Sequence, residues 1–168
     1  MRSTTVRRVI CAPRSLVYQT MLDPAALARW KVPDNMTLEV HEFEAREGGR
    51  LRISLTYDDR SRHGKTRAHT DTYHGQFARL IDDELIVETD EFETSAPGMQ
   101  GTMTITVRLA DIEEGTEVIA THENLPPDLP LADNELGWRM ALDKLASVVQ
   151  QRYSELQWKS SEQPQKQA

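Results

Sequence analysis

The segment that most constrains the fold of this 168-residue chain is an amphipathic stretch near its C-terminal end. From Leu131 to about Gln151, apolar side chains recur at helical spacing, while Arg139 and Asp143 fall on the opposite side. A helix with one apolar stripe has to cover another apolar surface, and the residues before it read as consecutive strands. We therefore predict a helix lying across a sheet. Gly137 costs this helix about 1 kcal/mol relative to alanine, so it needs a compensating reason, such as close packing.

Seven strands and two short helices are predicted before that helix. The first strand spans Thr4–Cys11, and prolines at helix-start positions indicate helices over Arg14–Met21 and Asp23–Trp30. Six further strand-like segments, joined by short turns, predict an antiparallel meander: Met36–His41, Leu51–Tyr57, Ala68–Leu80, Leu85–Phe92, Thr102–Leu109 and Thr116–Glu123. The predicted fold class is α+β, with a single domain over residues 1–153 and a polar, disordered tail over 154–168.

Charge and composition disfavour several classes of protein. The formal net charge of −7 disfavours a general nucleic-acid binder, which needs a basic surface, and docking on an anionic membrane. No apolar run approaches the ~18 residues of a membrane-spanning helix, and the N-terminal residues lack the hydrophobic region of a signal peptide. We therefore expect no membrane span and a cytoplasmic location. The single cysteine, Cys11, allows no internal disulfide and is expected to be a buried, inert thiol on the first strand.

No known metal, nucleotide or nucleophile motif is present in the sequence, so we predict no metal and no cofactor. His69 and His74 differ by an odd step on a predicted strand and point to opposite faces. His69, Asp71 and Tyr73 share a face, which we interpret as polar and solvated. Most acidic residues fall in turns, and we interpret their parity as placing no pair of carboxylates in one cleft.

His122 is the histidine that parity places on the inner face of the sheet, together with Val118 and Ala120. A polar side chain among apolar neighbours needs a partner or shifts toward its neutral form. One interpretation is a hydrogen-bonding or acid/base group at one end of a cavity. The other, which we favour, is a structural histidine bonded to the loop Asn124–Leu129.

A set of short motifs, in order from about Arg7 to Val149, carries a family resemblance: Ala12-Pro13, Val17, Asp23-Pro24, Leu27–Trp30, Gly49-Arg50, Gly75–Phe77, Gly115–Val118, His122-Glu123, Gly137-Trp138 and Leu142–Leu145. In these residues the chain resembles the START/SRPBCC superfamily, and within it the heat-shock-protein-90 ATPase activator-like family. The resemblance implies the helix-grip fold, in which a curved seven-stranded antiparallel sheet wraps around a long C-terminal helix and encloses a hydrophobic cavity. It implies no single activity, because relatives include lipid carriers, hormone receptors, polyketide cyclases and cochaperone domains.

Our leading hypothesis is therefore a domain that binds a small hydrophobic or amphipathic molecule between the sheet and the long helix. The expected lining consists of aromatic, apolar and hydrogen-bonding side chains: Trp30, Tyr73, Phe77, Met103, His122, Trp138 and Leu142. A cyclase- or hydratase-type enzyme would instead use His122, with Tyr73, as an acid/base group. A cochaperone-like module would expose an apolar patch or use the charged loop Asp58–Lys65. The sequence does not decide whether the chain forms a homodimer or binds a protein partner.

Overall fold

The computed structural model describes residues 2–59 and 69–162, and within them it has seven strands, three α-helices and one short 3-10 helix at Pro97–Met99. The strands are β1 (Ser3–Ile10), β2 (Met36–Phe43), β3 (Arg50–Tyr57), β4 (Thr70–Ile81), β5 (Leu85–Phe92), β6 (Met103–Ile112) and β7 (Gly115–Glu123). The helices are α1 (Arg14–Met21), α2 (Pro24–Trp30) and α3 (Leu131–Glu162). The predicted order of elements and the α+β class are confirmed. The predicted start of the fourth strand at Ala68 lies outside the described residues.

The strands form one curled antiparallel sheet in the order β1-β7-β6-β5-β4-β3-β2. Strands β2 to β7 follow one another as a meander, because the turns between them are short. The meander leaves β7 exposed at its far edge, and β1 pairs with it, with Val6 opposite Ala120. The first strand is thus joined to the last. Helices α1 and α2 lie beside α3, and α2 also contacts β2, the strand at the other edge of the sheet.

Helix α3 crosses the inner face of the sheet. Leu142, Leu145 and Val149 are fully buried in the core at this crossing, together with Ile10 of β1 and Val118 of β7. The apolar stripe read from the sequence is thus the buried face of the helix, as predicted. No helix among the described residues is long and apolar enough to cross a membrane.

The C-terminal end of α3 differs from the sequence prediction. The helix continues to Glu162 instead of ending near Gln151, so the disordered tail expected from Ser154 is wrong as far as residue 162. The physical reason is that the segment holds good helix formers, such as Glu155 and Lys159, and its first helix breaker is Pro164. This end of the helix is exposed along almost its whole length.

Two single-residue expectations are also wrong. Cys11 is exposed, because β1 ends at Ile10, whose side chain points into the core, and Cys11 follows on the opposite side. Gly137 has no close neighbour, since a Cβ at this position would meet only the Pro33 Cγ atom, at 3.9 Å. The glycine in α3 therefore leaves open space on the surface of the helix and does not serve close packing.

Candidate functional site

A cavity of about 410 Å³ lies between the N-terminal part of α3 and the inner face of the sheet. The sheet contributes side chains from β2 to β7, and the segment between α2 and β2 closes one side. Most of the wall is apolar: Met36, Leu55, Phe92, Met103, Ile105, Leu129, Leu136, Trp138, Met140 and Ala141. Gly137 and Ala141 are the small residues on the helix side, so the helix does not fill the space in front of the sheet.

Four of the seven residues expected from the sequence, Tyr73, Met103, His122 and Trp138, line this cavity. The other three, Trp30, Phe77 and Leu142, do not line it, and at most 1% of each residue's surface is exposed. All three residues are buried, but in the closely packed part of the interface. Phe77, for example, makes an edge-to-face contact with Phe43 at 5.4 Å between ring centroids.

His122 of β7 is a buried link between the sheet and α3. Its Nδ1 accepts hydrogen bonds from the Asn134 side-chain amide at 3.0 Å and from the Trp138 indole N–H at 3.3 Å. The orientation of the Asn134 amide follows from Thr4, whose hydroxyl donates to the Asn134 Oδ1 atom at 2.6 Å. The His122 Nε2 therefore carries the proton and lies 3.3 Å from the sulfur of Met103. The partners of His122 are thus on α3, and the expected bond to the loop Asn124–Leu129 is wrong.

Burial lowers the pKa of His122 to about 4, and the nearby Lys31 lowers it too, against the opposing effect of Glu88. The imidazole is therefore neutral at pH 7, and its one lone pair is already occupied by two donors. Both hydrogen bonds would have to break before Nδ1 could take a proton from a ligand. The geometry favours the structural interpretation of His122.

A buried charged cluster adjoins the inner wall of the cavity. Lys31, just after α2, places its Nζ atom 2.7 Å from the Glu88 Oε1 atom, and the two side chains are 13% and 4% exposed. Asp90 is two residues further along β5 on the same inward face, is 2% exposed and lines the cavity. The interpretation that parity places no two carboxylates together is therefore wrong. The alternation of Ile86, Glu88 and Asp90 along β5 is the signal that could have found this pair.

The surroundings of Asp90 favour its neutral form. Burial raises the pKa of Asp90 well above its usual value, the neighbouring Glu88 raises it further, and Lys31 opposes both. Burial lowers the pKa of Lys31, but Glu88, Tyr73 and Asp90 outweigh it, so Lys31 keeps its charge. Burial also raises the pKa of Tyr73, whose phenol stays protonated. The cluster thus carries one cation, Lys31, against the carboxylate that it contacts.

The Asp90 side chain lies over a glycine of the neighbouring strand. Gly75 of β4 is the register partner of Asp90. A Cβ on Gly75 would lie 1.8 Å from the Thr89 carbonyl oxygen and 2.3 Å from the Asp90 Oδ1 atom. No larger residue fits at this position without displacing the strand or the carboxyl group. The Asp90 Oδ1 atom is enclosed and has no hydrogen-bond partner.

We expected the face of β4 that carries Asp71 and Tyr73 to be solvated, and this expectation is wrong. Asp71 is 1% exposed, and both Asp71 and Tyr73 line the cavity. Since the sheet curls around α3, this face becomes the inner wall of a pocket. Among the described residues, no group of three histidine, cysteine, aspartate or glutamate side chains is arranged to hold a metal ion.

A curled seven-stranded sheet around a long C-terminal helix is the helix-grip architecture of START/SRPBCC proteins. The sequence matches the family described as activator of Hsp90 ATPase homolog 1-like protein over residues 11–150. The chain therefore belongs to the activator of Hsp90 ATPase homolog 1-like family. This family membership confirms the resemblance read from the sequence motifs.

Solved structures share the fold along nearly the whole chain. A Chromobacterium violaceum protein is 30% identical, with a TM-score of 0.79 over 88% of this chain and 96% of that one. An Arthrobacter aurescens protein is 20% identical, with a TM-score of 0.72 over 89% and 86%. A protein from Aeromonas hydrophila, described as like the same activator, is 18% identical, with a TM-score of 0.67 over 90% and 94%. No protein of curated function matches the sequence.

Proposed function

We propose that the cavity between the sheet and α3 binds a small molecule with a mainly apolar body and a polar end. The observation that carries this proposal is the cavity itself. Its volume of about 410 Å³ falls in the range of small-molecule pockets, about 300 to 1,000 Å³. An apolar wall with a few polar groups at one place is the usual composition of such pockets.

The construction of α3 supports the proposal. Gly137 lies at the cavity with no neighbour closer than 3.9 Å to a Cβ built on it. An interior glycine weakens a helix, and here the compensation is open volume rather than close packing. Buried polar groups next to an empty apolar space also favour a ligand that has both kinds of surface.

The direct test is calorimetric titration with 1-octanol, a probe with an eight-carbon tail that fits the volume. We expect saturable binding with a negative heat-capacity change, because apolar surface becomes buried. Native mass spectrometry of the freshly purified protein provides a second readout, namely the mass of any small molecule that is lost on denaturation. The proposal is wrong if octanol does not bind and no small molecule co-purifies.

Variants of Gly137 show whether the probe occupies this cavity. Gly137→Leu adds a branched side chain at the cavity wall and should abolish octanol binding, while Gly137→Ala adds one methyl group and should weaken it less. Ser154→Leu adds the same leucine side chain at the exposed end of α3, away from the cavity, and serves as the matched control. Equal loss in the Gly137→Leu and Ser154→Leu variants would mean that octanol binds elsewhere.

The two other hypotheses have less support. An acid/base enzyme based on His122 needs a free ring nitrogen, but both nitrogens have neighbours within 3.3 Å. A protein-interaction module needs a continuous apolar patch. The large apolar side chains that are exposed in the described part of the chain are spread out in sequence: Val9, Leu136, Leu156 and Trp158. Part of the charged loop Asp58–Lys65, residues 60–65, lies outside the described residues.

A further inference from the structure

The carboxyl group of Asp90 is the feature of the cavity that the fold leaves incompletely satisfied. Asp90 is 2% exposed, lines the cavity and has an Oδ1 atom with no hydrogen-bond partner. Leaving a buried polar atom without a partner costs about 1 to 3 kcal/mol. Only glycine at position 75 leaves room for this carboxyl group, so β4 provides the space and β5 provides the side chain. A group held in place at such a cost is a candidate for recognising a ligand.

The described residues of the cavity lining supply no unpaired cation to Asp90. Lys31 is the cationic side chain on the described part of the cavity lining, and Glu88 engages it at 2.7 Å. The other acidic residues of the described lining are Asp34, which pairs with the Lys144 Nζ atom at 2.8 Å, Asp71 and Asp133. Among the described residues, a ligand carboxylate at this end would meet the carboxyl group of Asp90 and no unpaired positive charge. A ligand cation would meet a carboxyl group that is hydrogen-bonded to the Glu88 side chain and whose Oδ1 atom has no partner.

We propose that the polar end of the ligand is a protonated amine that binds the carboxyl group of Asp90. This inference rests on the proposed function and names the class of molecule: an aliphatic or aromatic amine with an apolar body. The ammonium group has three N–H donors for the oxygens of Asp90. The ring of Tyr73 lines the same cavity, and aromatic rings are common neighbours of bound cations.

Binding of an ammonium ion should release a proton from the protein. The surroundings of Asp90 favour its neutral form, while a cation beside it favours the carboxylate, so binding should pass the carboxyl proton to the buffer. The titratable groups that interact with Asp90 are Glu88 on the same strand, which also hydrogen-bonds to it, Lys31 after α2 and Tyr73 on β4. His122 on β7 lines the same cavity. Lys31 and Tyr73 keep their protons at pH 7, and His122 has none to release on its Nδ1. Asp90 is thus the group whose protonation changes.

The experiment compares three probes with the same tail: octylamine, 1-octanol and octanoate, titrated into the full chain at pH 7 in phosphate and in Tris. We expect octylammonium to bind about tenfold more tightly than octanol, as one charge-assisted hydrogen bond predicts, and octanoate to bind most weakly. The measured heat for octylammonium should differ between the two buffers, which ionise with different enthalpies, and the heat for octanol should not. Equal affinity for octylammonium and octanol, or heats that do not depend on the buffer, would overturn the inference while leaving the proposed function intact. Binding of none of the three probes would overturn both.

The Asp90→Asn variant shows which group is responsible. Asparagine has nearly the same shape but cannot ionise, so the preference for octylammonium over octanol and the buffer-dependent heat should both disappear. Asp111→Asn makes the same chemical change at an exposed residue outside the cavity and should keep both. A preference for octylammonium that persists in Asp90→Asn would overturn the inference. If Asp90→Asn fails to fold, the buffer dependence of the wild-type protein still decides the question.

Discussion

Along α3, residues Leu142 to Val149 and residues Leu131 to Ala141 meet the same sheet in different ways. In the first region, Leu142, Leu145 and Val149 are fully buried against the strands. In the second, the helix presents Gly137 and Ala141 to the sheet and leaves a cavity. The comparison shows how one helix–sheet pair can be a packed core at one end and a pocket at the other, depending on side-chain size.

The strands opposite the two regions differ as well. The core region of the sheet presents apolar residues such as Val118 and Val107. The cavity region presents Asp71, Asp90 and His122. Buried polar groups need partners, and α3 provides them for His122 through Asn134 and Trp138 but provides none for the Asp90 Oδ1 atom. The closely packed region is thus the apolar one, and the open region is the polar one.

Truncating one side chain in each region should change the free energy of unfolding by very different amounts, and this is the largest contrast that we expect between the two regions. Leu145→Ala removes a fully buried side chain from the core and should lower the free energy of unfolding by about 3 kcal/mol. Met140→Ala removes a half-buried side chain at the cavity and should lower it by about 1 kcal/mol or less, because the space beside Met140 is already open. Urea unfolding of both variants measures the two losses. Similar losses would mean that the cavity region is as closely packed as the core.

Acidification should weaken the polar region specifically. The pKa of His122 is about 4 in the folded protein, below the 6.5 of a free histidine, so the unfolded chain binds the proton more readily. The stability that neutral His122 contributes is fully present above pH 6.5 and is lost as the pH falls toward 4, by about 3 kcal/mol. Asp90, whose pKa is raised, has the opposite effect, since its contribution is lost as the pH rises.

These two opposing slopes can be separated with a variant. His122→Gln does not titrate, so the difference in unfolding free energy between wild type and this variant should shrink as the pH falls from 7 to 4. Urea unfolding at several pH values measures this difference. A difference that stays constant over that range would show that His122 titrates normally in the folded protein. It would contradict the conclusion that burial keeps His122 neutral.

The element order of this fold could be read from the sequence because it depends on local periodicity. Alternation in the strands and the 3.6-residue period of α3 correctly gave seven strands, two short helices and one long helix. Parity also placed Met103 and His122 on the inner face. It could not say where along that face the packed core ends and the cavity begins, which is why Phe77 was expected at the cavity. Trp30 was expected there because it ends a short helix, whose docking the sequence does not reveal. That boundary depends on how α3 crosses the sheet.

The charged cluster contains residues that the sequence could have revealed and one that it could not. Glu88 and Asp90 could have been found, since they alternate with Val87 and Thr89 in a strand whose inner face is otherwise apolar. Lys31 could not, because it follows the end of α2 and its direction depends on how that short helix docks. The ion pair between Lys31 and Glu88 spans 57 residues of sequence and appears only in three dimensions. Polar residues on an apolar strand face were therefore the available signal for this site.

The smallest expected effect concerns Gly137, the glycine in the cavity region of the helix. Gly137→Ala adds a methyl group that would meet only the Pro33 Cγ atom, at 3.9 Å, which is an ordinary van der Waals distance. Since alanine favours the helix and reduces the freedom of the unfolded chain, we expect a gain of about 0.5 to 1 kcal/mol in unfolding free energy. Thermal and urea unfolding measure this gain, with Ser154→Ala at the exposed end of α3 as a control for helix propensity alone. If Gly137→Ala is less stable than wild type, the space in front of Gly137 is filled in the folded protein, and the contrast between a packed and an open region of α3 is lost.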